Sequence, residues 1–232
     1  MEKARRVFKA ACVLIFLFSF GNNSFNTLQA QTKTTTTSSK STQTKPKSTQ
    51  TTKSAQTKPK STTECTAAEP VKKIDPGTVT IGTQTWAAAN LNVSTFRNGD
   101  SIPEARTPQE WVAAGEAGKP AWCYYNNDPA NGAKYGKLYN WYAVNDPREL
   151  APVGWTLSSD ADWAQLVNYS GGQKAAGTKM KSINGWSENN GTNEAGFTGL
   201  PGGYRVENGT FLNIGSIGTW WSSAESNSRT AI

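Results

Sequence analysis

The sequence predicts an α+β fold, in which short helices are followed by antiparallel strands with much loop between them. Three observations carry that prediction. SSDADWAQLVNYSGG (158–172) places apolar residues at helical spacing behind a capping serine. GTVTIGTQTW (77–86) alternates and is rich in β-branched residues, as a strand, a turn and a second strand would be. An Asn-Gly pair at 208–209 separates YRV from TFLNI, which is a strong hairpin signal.

Two stretches are set apart from that fold. Residues 1–30 read as a secretory signal: Lys3, Arg5, Arg6 and Lys9 precede the apolar run ACVLIFLFSF (11–20), and Ala30 suits cleavage before Gln31. The apolar run is too short to span a bilayer. Cys12 lies inside it, which argues against a lipid-modified cysteine at the cleavage point. Residues 31–75 read as a disordered linker of Thr, Ser and Lys, in which QTKPKST occurs at 43–49 and again at 56–62. So little apolar surface cannot offset the entropy lost on ordering. The expected arrangement is one domain, 76–232, carried on a stalk and secreted or displayed at the cell surface.

Within the domain the elements follow in order. Gly82 marks the turn of the first hairpin. TPQEWVAAG (107–115) opens with a capping box, Thr107 with Glu110, has Pro108 at the first helical position, and ends at Gly115. PAWCYYNNDPANG (120–132) reads as a strand entering an Asn/Asp/Pro/Gly loop. YGKLYNWYAVND (135–146) puts Leu138, Trp141 and Tyr142 on one helical face. In 158–172, Ser159 caps, Asp160 and Asp162 suit the first turn, Trp163, Leu166 and Val167 form the apolar side, and Gly171 stops the helix. From 196 onward the chain reads as strands.

Charge and residue types narrow the chemistry. The chain carries +7 overall, but residues 1–75 hold thirteen basic and four acidic residues, leaving eleven basic and thirteen acidic from Pro76 onward. The domain is therefore close to neutral, at −2, with no footprint for nucleic acid. There is no histidine, which excludes Ser-His-Asp and Cys-His catalysis and histidine metal sites. Asp160 and Asp162 could form a glycosidase pair in principle, but helix capping explains them. The mature chain keeps Cys65 and Cys123, for which a disulfide is the default after export. They could pair with each other, or Cys123 with another partner. NND (126–128) and WYAVND (141–146) offer oxygens that calcium accepts, but Asx turns account for them. No cofactor is expected.

The nine tryptophans all lie in the domain, and Trp220 and Trp221 are adjacent on a strand-like run. Alternation sends one to the core and one outward, unless a neighbouring loop covers both. An outward ring beside Ser222, Ser223 and Glu225 suits stacking on a sugar or anchoring a protein. Tyr204 and Arg205 are further polar candidates for the same binding face.

Taken together, GTVTIGTQTWAAANLNV, AWCYYNNDPANGAKYGKLYNWYAVNDPRELAPVGWTLSSDADWAQLVNYSGG and GFTGLPGGYRVENGTFLNIGSIGTWWSSAE resemble the Fibrobacter succinogenes major paralogous domain over about residues 77–231. The resemblance implies a secreted or surface domain of Bacteroidetes and related bacteria with a C-type-lectin-like fold. Some relatives of that fold bind ligands through diversified C-terminal residues. Two departures stand out. AAAN (87–90) replaces the family's Met-Ala-Glu-Asn run, a change expected at the surface. Family members also continue past the WWSSAE-like strand with further strands and a cysteine. The expectation is therefore an incomplete domain whose 77–82 strand has an unpaired edge.

The function that the resemblance implies is a non-catalytic module binding a glycan or a surface protein. One alternative is an oxidase like the formylglycine-generating enzymes, which needs a cysteine pair. The other is a structural surface protein with no specific ligand. No Glu-Pro-Asn or Gln-Pro-Asp tripeptide of the sugar-binding kind is present.

Overall fold

The computed structural model describes residues 6–9, 76–227 and 230–231. The proposed signal beyond 6–9, the linker 31–75 and Cys65 lie outside the described residues. The strands are β1 (Arg6–Lys9), β2 (Thr78–Ile81), β3 (Gln84–Asn90), β4 (Trp122–Cys123), β5 (Leu138–Tyr139), β6 (Thr156–Leu157), β7 (Gly202–Arg205), β8 (Phe211–Ile214), β9 (Glu225–Asn227) and β10 (Thr230–Ala231). The α-helices are α1 (Pro108–Glu116), α2 (Pro129–Tyr135), α3 (Trp141–Val144), α4 (Asp160–Tyr169) and α5 (Gln173–Met180), with a short 3-10 turn at Tyr125–Asn127. The class is α+β, as expected.

The main sheet has the order β2-β3-β1-β6. β2 and β3 form the hairpin read from the sequence, with Ile81 opposite Gln84 and Thr78 opposite Ala87. β1, from the segment assigned to the leader, runs parallel to both β3 and β6. β2 is the outer strand, and its free side has no partner among the described residues. The other described strands pair in twos: β4 with β5, β7 with β8, β9 with β10.

Local chemistry explains the helices. Thr107 accepts from Glu110 N, and Glu110 returns bonds to the backbone, so α1 begins with the expected box. Ser159 and Asp162 do the same for α4. α2 was expected as loop. Asp128 caps it by accepting from Ala130 N at 2.9 Å, and Pro129 occupies its first position, so Asp-Pro starts a helix here rather than a turn.

The single helix expected over 135–146 is instead a strand, β5, and a one-turn helix, α3. Asn140 divides them. Its side-chain oxygen accepts from Ala143 N at 3.0 Å, capping α3, and from Ala121 N at 2.9 Å. Tyr139 lies inward, its hydroxyl donating to Val93 O at 2.7 Å, while Tyr142 is exposed. Helical periodicity therefore does not describe this stretch.

Aromatic rings build the interior. One cluster gathers Phe96, Trp122, Tyr139, Trp155 and Trp221, a second Trp86, Trp163 and Phe197, and a third Trp111, Cys123 and Tyr125. Ala87, expected at the surface, is buried in the first cluster, whereas Ala88 and Ala89 are exposed.

Candidate functional site: an aromatic cavity beside two helices

α4 turns Asp160, Trp163, Ala164 and Val167 to one side, the i, i+3, i+4, i+7 stripe of a helix. α5 does the same with Gln173, Ala176, Gly177 and Met180. Between these stripes and the loops after α5 lies a cavity of about 220 Å³. Trp186, Phe197 and Trp220 complete its aromatic wall.

Trp220 is the half-buried member of the tryptophan pair. Its ring lies 5.4 Å from Phe197, edge to face, and 6.2 Å from Trp163. Its indole N–H donates to Asn90 Oδ1 at 2.9 Å, which fixes the ring against β3. Two glycines leave the space it occupies. A Cβ on Gly218 would stand 2.7 Å from the ring, and one on Gly199 would stand 3.2 Å from it.

Across the cavity, Trp186 donates to Ser182 Oγ at 3.1 Å and Gly199 O at 3.2 Å. Lys181 is only 8% exposed. Its amino group lies 4.7 Å from the centre of the Trp186 ring and donates to the Asn189 carbonyl. Burial pulls the pKa of that amine below its usual value. Asp160 also lines the cavity, and its Oδ1 accepts from the Ser222 hydroxyl.

The other sequence candidates do not converge here. Trp221 is 1% exposed; its indole N–H donates to Tyr139 O at 2.9 Å, and its carbonyl accepts from Ser158 Oγ and Trp163 Nε1. Ser222 is buried against Asp160. Arg205 is fully buried, with Nε donating to Gly209 O at 3.0 Å and Nη1 to Ala105 O at 2.8 Å. Burial thus corrects the surface role expected for Trp221, Ser222 and Arg205. Tyr204, half-buried on β7, accepts from Asn213 Nδ2 at 3.0 Å and does not line the cavity. Ser223 is exposed, and its N–H donates to Ser158 O. Glu225 begins β9, and its side chain lies outside the described residues.

The family model described as the Fibrobacter succinogenes major domain matches residues 79–232. The chain belongs to that family. No curated protein and no solved structure matches it.

Two other readings meet the geometry of this Fibrobacter succinogenes major domain. Cys123 is buried and forms no disulfide among the described residues, and burial pushes its pKa up to about 11. Two of the loop carboxylates offered to calcium are already engaged: Asp128 caps α2, and Asp146 accepts from Arg148 N at 3.0 Å and from its guanidinium. Among the described residues no group of three or more His, Cys, Asp or Glu converges.

Sequence reasoning reached Trp220 through the adjacent pair, and Trp163 as a core position. It missed Lys181, Trp186 and Phe197. They stand on loops without periodicity, and only the tertiary fold brings them to one wall.

Proposed function

We propose that this chain is an exported, non-catalytic binding module with a C-type-lectin-like fold, whose ligand is a glycan or a surface protein. The observation that carries the reading is the cavity walled by Trp163, Trp186, Phe197 and Trp220. Concave apolar sites with a few polar groups are where folded domains hold ligands. Tryptophan is the residue type most often found to dominate such contacts. A signal-like leader and a hydroxyl-rich linker suit export and display away from a surface. Against the oxidase alternative stands Cys123, whose buried, fully protonated thiol is a poor nucleophile.

The test is binding of the full chain to glycan arrays and to surface-protein preparations of bacteria, beside Trp220→Ala. The expected result is saturable binding that Trp220→Ala weakens on the order of tenfold or more. Absence of binding to every preparation overturns the reading in favour of a structural surface protein.

A further inference from the structure

We propose that the cavity between α4, α5 and the Trp186 and Trp220 loops takes a small planar ring compound bearing a carboxylate, with the ring among the indoles and the carboxylate on Lys181 Nζ. The proposal rests on reading this cavity as a binding site, and it goes beyond the glycan or surface-protein ligand by naming a small ligand held inside the cavity.

Size sets the first limit. A dry apolar cavity of about 150 Å³ holds benzene. Sites for drug-sized molecules run from about 300 Å³ upward. At about 220 Å³ this cavity matches one or two fused rings.

The wall sets the second. Trp163, Trp186, Phe197 and Trp220 present ring surfaces, and Met180 and Val167 add aliphatic ones. A sugar ring fully inside would bring hydroxyls to walls that offer them few partners, and each unpaired hydroxyl costs free energy. An aromatic ring needs none.

Charge sets the third. Lys181 is buried, the only hydrogen bond its ammonium makes among the described residues goes to the Asn189 carbonyl, and no carboxylate there lies within ion-pair distance. An ammonium so placed has donors left for an incoming anion, and a charge-assisted bond in a poorly solvated site is among the stronger polar contacts. Asp160, the acidic residue on the same wall, already receives the Ser222 hydroxyl. It directs a ligand carboxylate away from itself and toward Lys181.

The probes are indole-3-acetate, indole and tryptamine, titrated into the full chain by calorimetry. Indole-3-acetate is expected to bind about tenfold more tightly than indole, and tryptamine more weakly than either. Lys181→Met keeps the aliphatic stem over Trp186 and is expected to erase the preference for the acid while retaining indole. Ala164→Trp fills the mouth from an exposed helix position; it is expected to keep the circular dichroism spectrum of the unsubstituted chain and to abolish binding of all three. Equal affinity for indole and its acid, a preference for tryptamine, or a preference for the acid that survives Lys181→Met overturns the proposal. So does failure of every probe. Surface binding is scored separately. If it persists in Ala164→Trp, the cavity is not its site and the binding-module reading stands alone. If the probes bind as expected but no surface preparation does, the ring site stands and the broader reading falls.

Discussion

Arg205 holds a guanidinium in the interior with no carboxylate partner among the described residues. Two backbone carbonyls and two ring faces replace one, since the charge lies 4.4 Å from the centre of Phe211 and 4.9 Å from that of Trp111. Hydrogen bonds from a charged group contribute about 1.5–3 kcal/mol each, and desolvated cation–π contacts add to that. Arg205→Ala is therefore expected to destabilise the domain by at least about 3 kcal/mol, read as a lower urea midpoint at unchanged m. Arg205→Lys should not rescue it, because an ammonium cannot fork to the Gly209 and Ala105 carbonyls together. Cys123, beside it, gives a second expectation. Its folded pKa, about 11, lies above the ordinary thiol value, so the folded state holds the proton longer than the unfolded chain does. The resulting stability is fully present below the unfolded pKa of about 8.5 and falls as pH rises through the folded value. Between pH 8 and pH 11, the full chain should lose about 2–3 kcal/mol more stability than Cys123→Ala, measured by urea unfolding at each pH. Identical pH slopes for the two proteins would show that the thiol is not buried as described.

At the scale of the element, caps were the most legible feature and tertiary partners the least. Thr107 with Glu110 and Ser159 with Asp162 are short-range patterns, and both form the bonds expected of them. Thr107→Ala and Ser159→Ala should each cost about 1 kcal/mol. The double variant should lose the sum, because the two caps share no partner. Thermal unfolding of the three variants checks both the sizes and the additivity. The β7–β8 hairpin was equally readable, since Gly209 takes φ +85° at its turn and Asn208 Oδ1 accepts from Thr210 N. α5 was not readable. Its cap residue is Gly172, which makes no side-chain cap bond, and its sequence QKAAGTKM is weakly amphipathic. It is a helix because Ala176 and Met180 pack into the cluster of Trp86, Trp163 and Phe197. The same limit hid the site. Alternation predicted that one of Trp220 and Trp221 would face inward, and Trp221 does. Nothing within ten residues of Trp220 signals that Trp186 and Lys181 will stand across a cavity from it.

For the whole molecule, the decisive feature is the middle of the main sheet. β1 comes from the segment that reads as a removable leader, yet it pairs with β3 on one side and β6 on the other. Removing residues 1–30 would leave β3 held only by β2, and β6 without its neighbour in the sheet. Unpaired backbone at a sheet edge seeks another strand, commonly from a second copy. The chain beginning at Gln31 is therefore expected to associate with increasing concentration more strongly than the full chain, as read by sedimentation velocity. Hydrogen exchange locates the cause. Residues 84–90 contain amides facing both neighbours, so those bonded to β2 should stay protected while those facing β1 exchange faster in the shortened chain, together with Thr156 and Leu157. Equal protection and equal association in both chains would show that β1 contributes nothing to the sheet in solution.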